Sequence, residues 1–170
     1  MANSTNIYLT VLKLLEKSLE TIVATLVVAI VLIISMQVFY RYIIQEPIAW
    51  SEEFVTLCYQ WLSLLGAALA VRHRAHFGVD IAIRFIGPNS KQRLLALNHI
   101  VIWILGFFML FYGIKVVINS WSQMYPTLPW SYGVGYSVVP LAGFLFLFMD
   151  LIVLKENYLK TNHKNLSTDL

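Results

Sequence analysis

Four long runs of apolar residues, separated by short stretches that carry nearly all the charge, set the pattern of this chain. They cover residues 21–40, 54–71, 94–118 and 134–154. A hydrocarbon core of about 30 Å takes roughly 20 apolar residues per helical crossing, so each run suffices, or nearly suffices, to span a bilayer once. Strands of a membrane barrel would alternate apolar and polar positions over about 10 residues, whereas these runs are continuously apolar and about twice as long. The pattern predicts an all-α integral membrane protein: one membrane domain over residues 1–170 with four transmembrane helices.

The connecting stretches add detail. Residues 7–20 place Tyr8, Leu12, Leu15 and Leu19 at helical spacing, with Lys13, Glu16, Lys17 and Glu20 on the other side. This predicts an amphipathic helix at the membrane interface or along a partner's flank. A cleaved signal peptide competes with that reading, but the charges continue to Glu20 and no small-residue cleavage site follows the apolar run. Between the first two runs the chain turns at Pro47, which lacks a backbone donor and biases Glu46 away from helix. Ser51 is then the expected N-cap of the second helix. Glu52 and Glu53 follow in its first turn, where the helix dipole favours negative charge by roughly 0.3–1 kcal/mol each.

Within the second run, Gly66 with Ala70 and Ser63 with Ala67 form small-xxx-small pairs along which another helix can approach closely. The pattern predicts a short interfacial helix over 79–85 within the link 72–93, with Asp80 and Arg84 as an i,i+4 pair and Gly87-Pro88 as its stop. Loop 119–133 has Trp121, Tyr125, Trp130 and Tyr132 but no Lys or Arg, a composition suited to a headgroup boundary. Residues 155–170 form a polar tail.

Composition strengthens the class. With 59% hydrophobic and 12% charged residues, the chain has too little polar surface to coat a soluble globule. Its net charge of +3 is distributed as topology signals, with no basic tract for nucleic acid. Lys13, Lys17, Arg72, Arg74, Arg84, Lys91, Arg93, Lys155, Lys160 and Lys164, ten of the twelve Lys and Arg residues, fall on the side of the termini. Only Arg41 and Lys115 fall near the other face. The asymmetry predicts that both termini are cytoplasmic.

Candidate chemistry is sparse. Glu52 and Glu53 could bind a cation, but successive helical residues diverge by about 100°, which favours a structural clasp with Arg41. His73, His76 and His99 invite a haem reading, as in a four-helix membrane cytochrome or a quinone-linked anchor. Against it, Arg72 and Arg74 surround the first two, and interfacial histidines suit lipid phosphate or partner backbone better. Asp150 lies about one turn inside the end of the fourth run, where a buried acid requires a partner; Arg72 and Arg74 are the nearest candidates by topology. The single Cys58 excludes an intrachain disulfide and reads as a small apolar side chain. Nucleophile-base sets, phosphate loops and spaced metal ligands are absent from the sequence, which points away from an enzyme.

The stretch from 41 to 80 carries a resemblance. Arg41-Tyr42, Pro47-Ile48-Ala49-Trp50-Ser51-Glu52-Glu53, Trp61, Gly66-Ala67-Ala68, Arg72, His76 and Val79-Asp80 resemble the signature of the small membrane subunit of the tripartite ATP-independent periplasmic (TRAP) transporters. Four crossings, about 170 residues and cytoplasmic termini also fit that family. The resemblance implies a bacterial inner-membrane protein that forms a heterodimer with a large multi-spanning transport subunit. A periplasmic solute-binding protein would deliver an organic acid, such as a C4-dicarboxylate, keto acid or sialic acid, for sodium-coupled import. Substrate and sodium sites are then expected in the large subunit, with no cofactor here. This chain would be the brace: Arg41, Glu52 and Glu53 fix the outer hairpin, while Arg72, Arg74, His76 and Asp80 hold the inner edge to lipids or to the large subunit.

Overall fold

The computed structural model of the chain describes residues 2–73 and 88–168, including the side chains of Thr10, residues 12–73 and residues 96–155. Its helices are α1 (Ala2–Phe39), α2 (Ala49–Arg72), α3 (Pro88–Ser120), a short α4 (Tyr132–Tyr136) and α5 (Val138–Thr168). Four stretches are long and apolar enough to cross a membrane: Leu12–Ile44, Ala49–Arg72, Ala96–Ser120 and Tyr132–Lys155. The described residues contain no strand, only an isolated bridge between Met124 and Ser131. The all-α fold with four membrane-crossing helices therefore agrees with the hydrophobic pattern.

The ends of these helices follow local chemistry. At Tyr40–Ile44 the first helix widens into a π turn, then stops at Gln45, which adopts a left-handed φ of 62°. Pro47 disfavours helix at Glu46, so one left-handed residue reverses the chain there at a cost of about 1–2 kcal/mol. Ser51 is not the N-cap expected of it. The second helix begins three residues earlier, after Ile48, because Ala49 and Trp50 accept helical geometry. Ser51 lies fully buried and donates from its hydroxyl to the Ile48 carbonyl at 2.7 Å. The fourth crossing is a short helix followed by a long one, joined at Ser137. Pro140 consequently falls in the first turn of α5, where its missing N–H costs little.

The amphipathic stretch is also not a separate helix. It continues without a break through Thr21 into the first crossing, as one helix of 38 residues, about 57 Å long. Leu12 is buried in a core shared with Ala68, Val71, Ile102, Phe146, Met149 and Ile152, so that part of the apolar face meets this chain's own helices. The helix expected over 79–85 lies outside the described residues.

Packing is sequential. Helix α1 touches α2, α2 touches α5, and α5 touches α3, while α1 and α3, α1 and α5, and α2 and α3 do not approach one another among the described residues. The order α1–α2–α5–α3 is an open row one helix thick. Burial follows position in that row: in the most apolar window of the first crossing 0% of residues are buried, against 44% in the fourth. The row therefore leaves apolar side chains on its broad faces and along α1, including Val28, Leu32, Ile104 and Phe111.

The tightest contact joins α3 and α5, and it is made by glycines. A Cβ at Gly143 would stand 2.7 Å from the Leu110 nitrogen and 2.8 Å from the Gly106 carbonyl oxygen. One at Gly113 would stand 2.8 Å from the Pro140 ring. Gly66, expected to be the close-approach position, instead has nothing within 4 Å of where its Cβ would be. A continuous apolar helix gives no sign of which small residue meets a neighbour, so the small-xxx-small pattern at Gly66 marked the wrong contact within this chain. Gly66→Ala is therefore expected to leave the isolated protein intact, or to stabilise it by up to about 1 kcal/mol through helix propensity. A thermal-unfolding comparison in detergent checks this, and a clear loss of stability would contradict the open space at that position.

Candidate functional site

At the end of the row away from the termini, α2 is tied to two neighbours. Glu52 accepts from the Gln37 side-chain nitrogen at 3.4 Å. Glu53 turns the other way and accepts from the backbone nitrogen of Thr127 at 3.0 Å and from its hydroxyl. The carboxylates thus diverge, as adjacent helical positions require. Trp50 packs edge-on against Phe54, which in turn meets Trp130, so the aromatic rings fasten the same loop to the start of α2. The clasp between Arg41 and these glutamates does not form: among the described residues no ion pair joins them, and Arg41 and Pro47 are exposed. The π turn and left-handed Gln45 carry Arg41 out to the surface before the chain reverses. Tyr125, in the same loop, packs on Tyr132 with ring centroids 4.0 Å apart. Burial, with the neighbouring Tyr132, Tyr136 and Glu53, pushes its phenol pKa above the ordinary value.

The Glu53 tie gives a local prediction. Glu53→Gln removes the charge from two hydrogen bonds and should loosen the Thr127 segment by roughly 1–2 kcal/mol. Hydrogen exchange at the Thr127 amide should accelerate while the helical cores stay protected. Unchanged exchange there would mean that the aromatic contacts alone hold the loop.

At the termini end, α1 and α2 meet through charge. Arg72 lies 3.5 Å from Glu16, and His73 lies 3.7 Å from Glu16 and 3.3 Å from Glu20. The glutamates are one turn apart on α1, and the basic groups occupy the C-terminal end of α2, where the helix dipole favours positive charge. The basic half of this clasp was legible in the sequence, whereas its acidic partners were missed; an i,i+4 Glu pair beside the preceding crossing was the available signal. Ligand atoms of Glu16, Glu20 and His73 lie within 4.8 Å of one another, a donor set that a divalent cation could use. The Arg72 guanidinium already offsets part of that negative charge. Arg74, His76 and Asp80 lie outside the described residues.

Between these ends lies a buried acid. Asp150 is 1% exposed, and its two oxygens are taken by His99 Nδ1 at 2.7 Å and the Trp103 indole N–H at 2.9 Å. In place of Arg72, the partners are groups on α3, and Arg74 lies outside the described residues. Since α5 lies directly against α3, residues one turn apart on that helix reach the carboxylate first. Polar His99 at the start of the third crossing was the sequence signal for this contact, and topology alone could not rank it above the arginines. His73 and His99 engage different partners, the α1 glutamates and Asp150 respectively. In α2, the Trp61 indole nitrogen and the Gln60 side-chain oxygen are buried without a hydrogen-bond partner among the described residues.

The model of the family described as "Tripartite ATP-independent periplasmic transporters, DctQ component" matches residues 30–157. A TRAP transporter small permease protein of Haemophilus influenzae is 24% identical over 160 residues, covering 92% of this chain and 95% of the relative. The C4-dicarboxylate TRAP transporter small permease protein DctQ of Vibrio cholerae is 26% identical over 141 residues, covering 83% of this chain and 58% of the relative. The sialic acid TRAP transporter permease protein SiaT of Haemophilus influenzae is 25% identical over 104 residues, which cover 61% of this chain and 17% of that protein. The family match contains both ends of the α2 hairpin and the Asp150 site, and begins after Glu16 and Glu20.

Proposed function

Because the chain belongs to the DctQ-component family of the tripartite ATP-independent periplasmic transporters, we propose that it is the subunit that braces a large multi-spanning transport protein and holds no substrate site itself. It is a transporter component and not an enzyme. The observation that carries the bracing role is the open row. Among the described residues each long helix makes close backbone contact only with its neighbours in the row, an arrangement that offers broad side surfaces rather than a common interior. Its unburied α1 and broad apolar faces instead offer contact surface to lipid and to another membrane protein.

The finer points belong to the same proposal. Ten of twelve basic residues on the side of the termini favour cytoplasmic ends in a bacterial inner membrane. Glu52, Glu53 and the aromatic loop then face the periplasm, where a solute-binding protein would dock. The names of the relatives favour an organic acid as cargo, a C4-dicarboxylate or sialic acid. Sodium coupling, if it follows the family pattern, resides in the large partner.

Affinity purification of the tagged full-length chain from native membranes tests the role. A much larger multi-spanning protein should co-purify in equal amount, and the small chain reconstituted alone should move no solute. A lone homo-oligomer, or transport by this chain without a partner, would overturn the proposal.

A further inference from the structure

A groove of about 870 Å³ runs along the side of α3, from His99 at the termini end, past Trp103, Phe107 and Phe111, to Lys115 at the other. Its ends are 16 residues apart, about 24 Å along a helix and close to the thickness of a hydrocarbon core. We infer that this groove binds a phospholipid of the leaflet on the side of the termini, its phosphate accepting a hydrogen bond from His99 and one acyl chain lying along the aromatic strip.

The polar end follows from the buried pair. Asp150 is 1% exposed and its carboxyl faces His99 Nδ1 at 2.7 Å, which turns the other ring nitrogen, Nε2, away from the buried acid. His99 lines the groove and its Nε2 has no partner among the described residues. A ring nitrogen left over in this way, roughly one turn inside the membrane boundary, calls for a polar partner. A lipid phosphate supplies one, its phosphodiester oxygen accepting from the Nε2–H.

The apolar part separates lipid from a protein helix. The small residues Gly106 and Gly113 of α3 are used against α5, whereas the groove side carries only bulky groups such as Ile104, Phe107 and Phe111. Close packing of membrane helices uses small residues, which this side lacks. A flexible acyl chain can follow the gaps between such rings. Lys115, its ammonium 5.4 Å from the Tyr112 ring centroid, closes the far end at the opposite boundary. This inference does not depend on the transport role.

The test uses the full-length chain in vesicles containing phosphatidylglycerol with a diazirine on its acyl chain, and reads photolabelled residues by peptide mapping. Residues from Trp103 to Phe111 should be labelled severalfold more than Val28 and Leu32 of α1. Those α1 residues are 58% and 63% exposed, comparable to 65% at Ile104 and 62% at Phe111. The double variant H99F/D150L, which keeps the core uncharged, should lower the preference roughly tenfold, the equivalent of one charged hydrogen bond. F107A/F111A leaves the polar pair intact and should lower it as well. Labelling that merely follows exposure would reduce the groove to ordinary boundary lipid and overturn the inference. Equal labelling by a diacylglycerol with the same chains would remove the phosphate contact and overturn it too. So would loss of labelling in the native complex, because a protein partner would then occupy the groove.

Discussion

Gly143→Val is expected to separate α5 from α3 and to cost at least the 1–3 kcal/mol typical of overpacking a close contact. A Cβ there meets the Leu110 nitrogen at 2.7 Å and the Gly106 carbonyl oxygen at 2.8 Å. Both are backbone atoms, so no rotamer change relieves them. The helices must move apart, and the consequence reaches further than one contact. Asp150 lies on α5 and its partners His99 and Trp103 on α3, so spreading the pair lengthens both of its hydrogen bonds. Thermal unfolding of the detergent-purified protein should show a clear fall in midpoint, with earlier proteolysis after α3. Gly66→Ala is the matched control in α2, where nothing stands within 4 Å of the new carbon. If both variants melted like the parent protein, the α3–α5 contact would not be the tight seam of the fold.

His99→Leu should be comparably damaging for an electrical reason. It leaves the carboxyl of Asp150 inside the row with only the Trp103 N–H, and breaking one side of a buried charged pair typically costs about 3–5 kcal/mol. Asp150→Leu alone leaves an imidazole without its carboxyl partner, a smaller fault because His99 stands partly open to the groove. The double variant H99L/D150L removes both polar groups and should recover most of the loss, since leucines pack well where the pair stood. A double-mutant cycle by chemical unfolding measures this. A coupling of about 2 kcal/mol or more is expected, and additive effects would show that the two groups do not act as a pair. The recovered variant should also lose the lipid preference, which separates the stabilising role of the pair from its role as a donor.

The sequence made the membrane class and the four crossings legible for a simple reason. Hydrocarbon forces the backbone to satisfy its own hydrogen bonds over roughly 20 residues, and that demand is written directly as long apolar runs. Runs at 21–40, 54–71, 94–118 and 134–154 fall within the observed stretches Leu12–Ile44, Ala49–Arg72, Ala96–Ser120 and Tyr132–Lys155, apart from Leu94 and Leu95. The turn at Pro47 and the divergence of Glu52 and Glu53 were equally readable, because both follow from backbone geometry within a few residues.

Who meets whom was not readable, and the misses share one cause. In a soluble helix the apolar face points inward, but in lipid every face is apolar, so periodicity no longer marks the core. Hence Gly66 looked like a packing position and Gly143 did not, although of these two it is Gly143 that lies against another backbone. Arg41 seemed the natural partner of Glu53, yet Thr127, 74 positions away along the chain, holds that carboxylate. Asp150 needed a partner on energetic grounds that the sequence supplied. That the partner is His99 depends on α5 lying between α2 and α3, an order fixed only by how the side chains of the whole chain fit together. Sequence alone thus determined that four helices cross the membrane and that the acid must be paired; the tertiary structure decided the order of the helices, and with it every contact made across them.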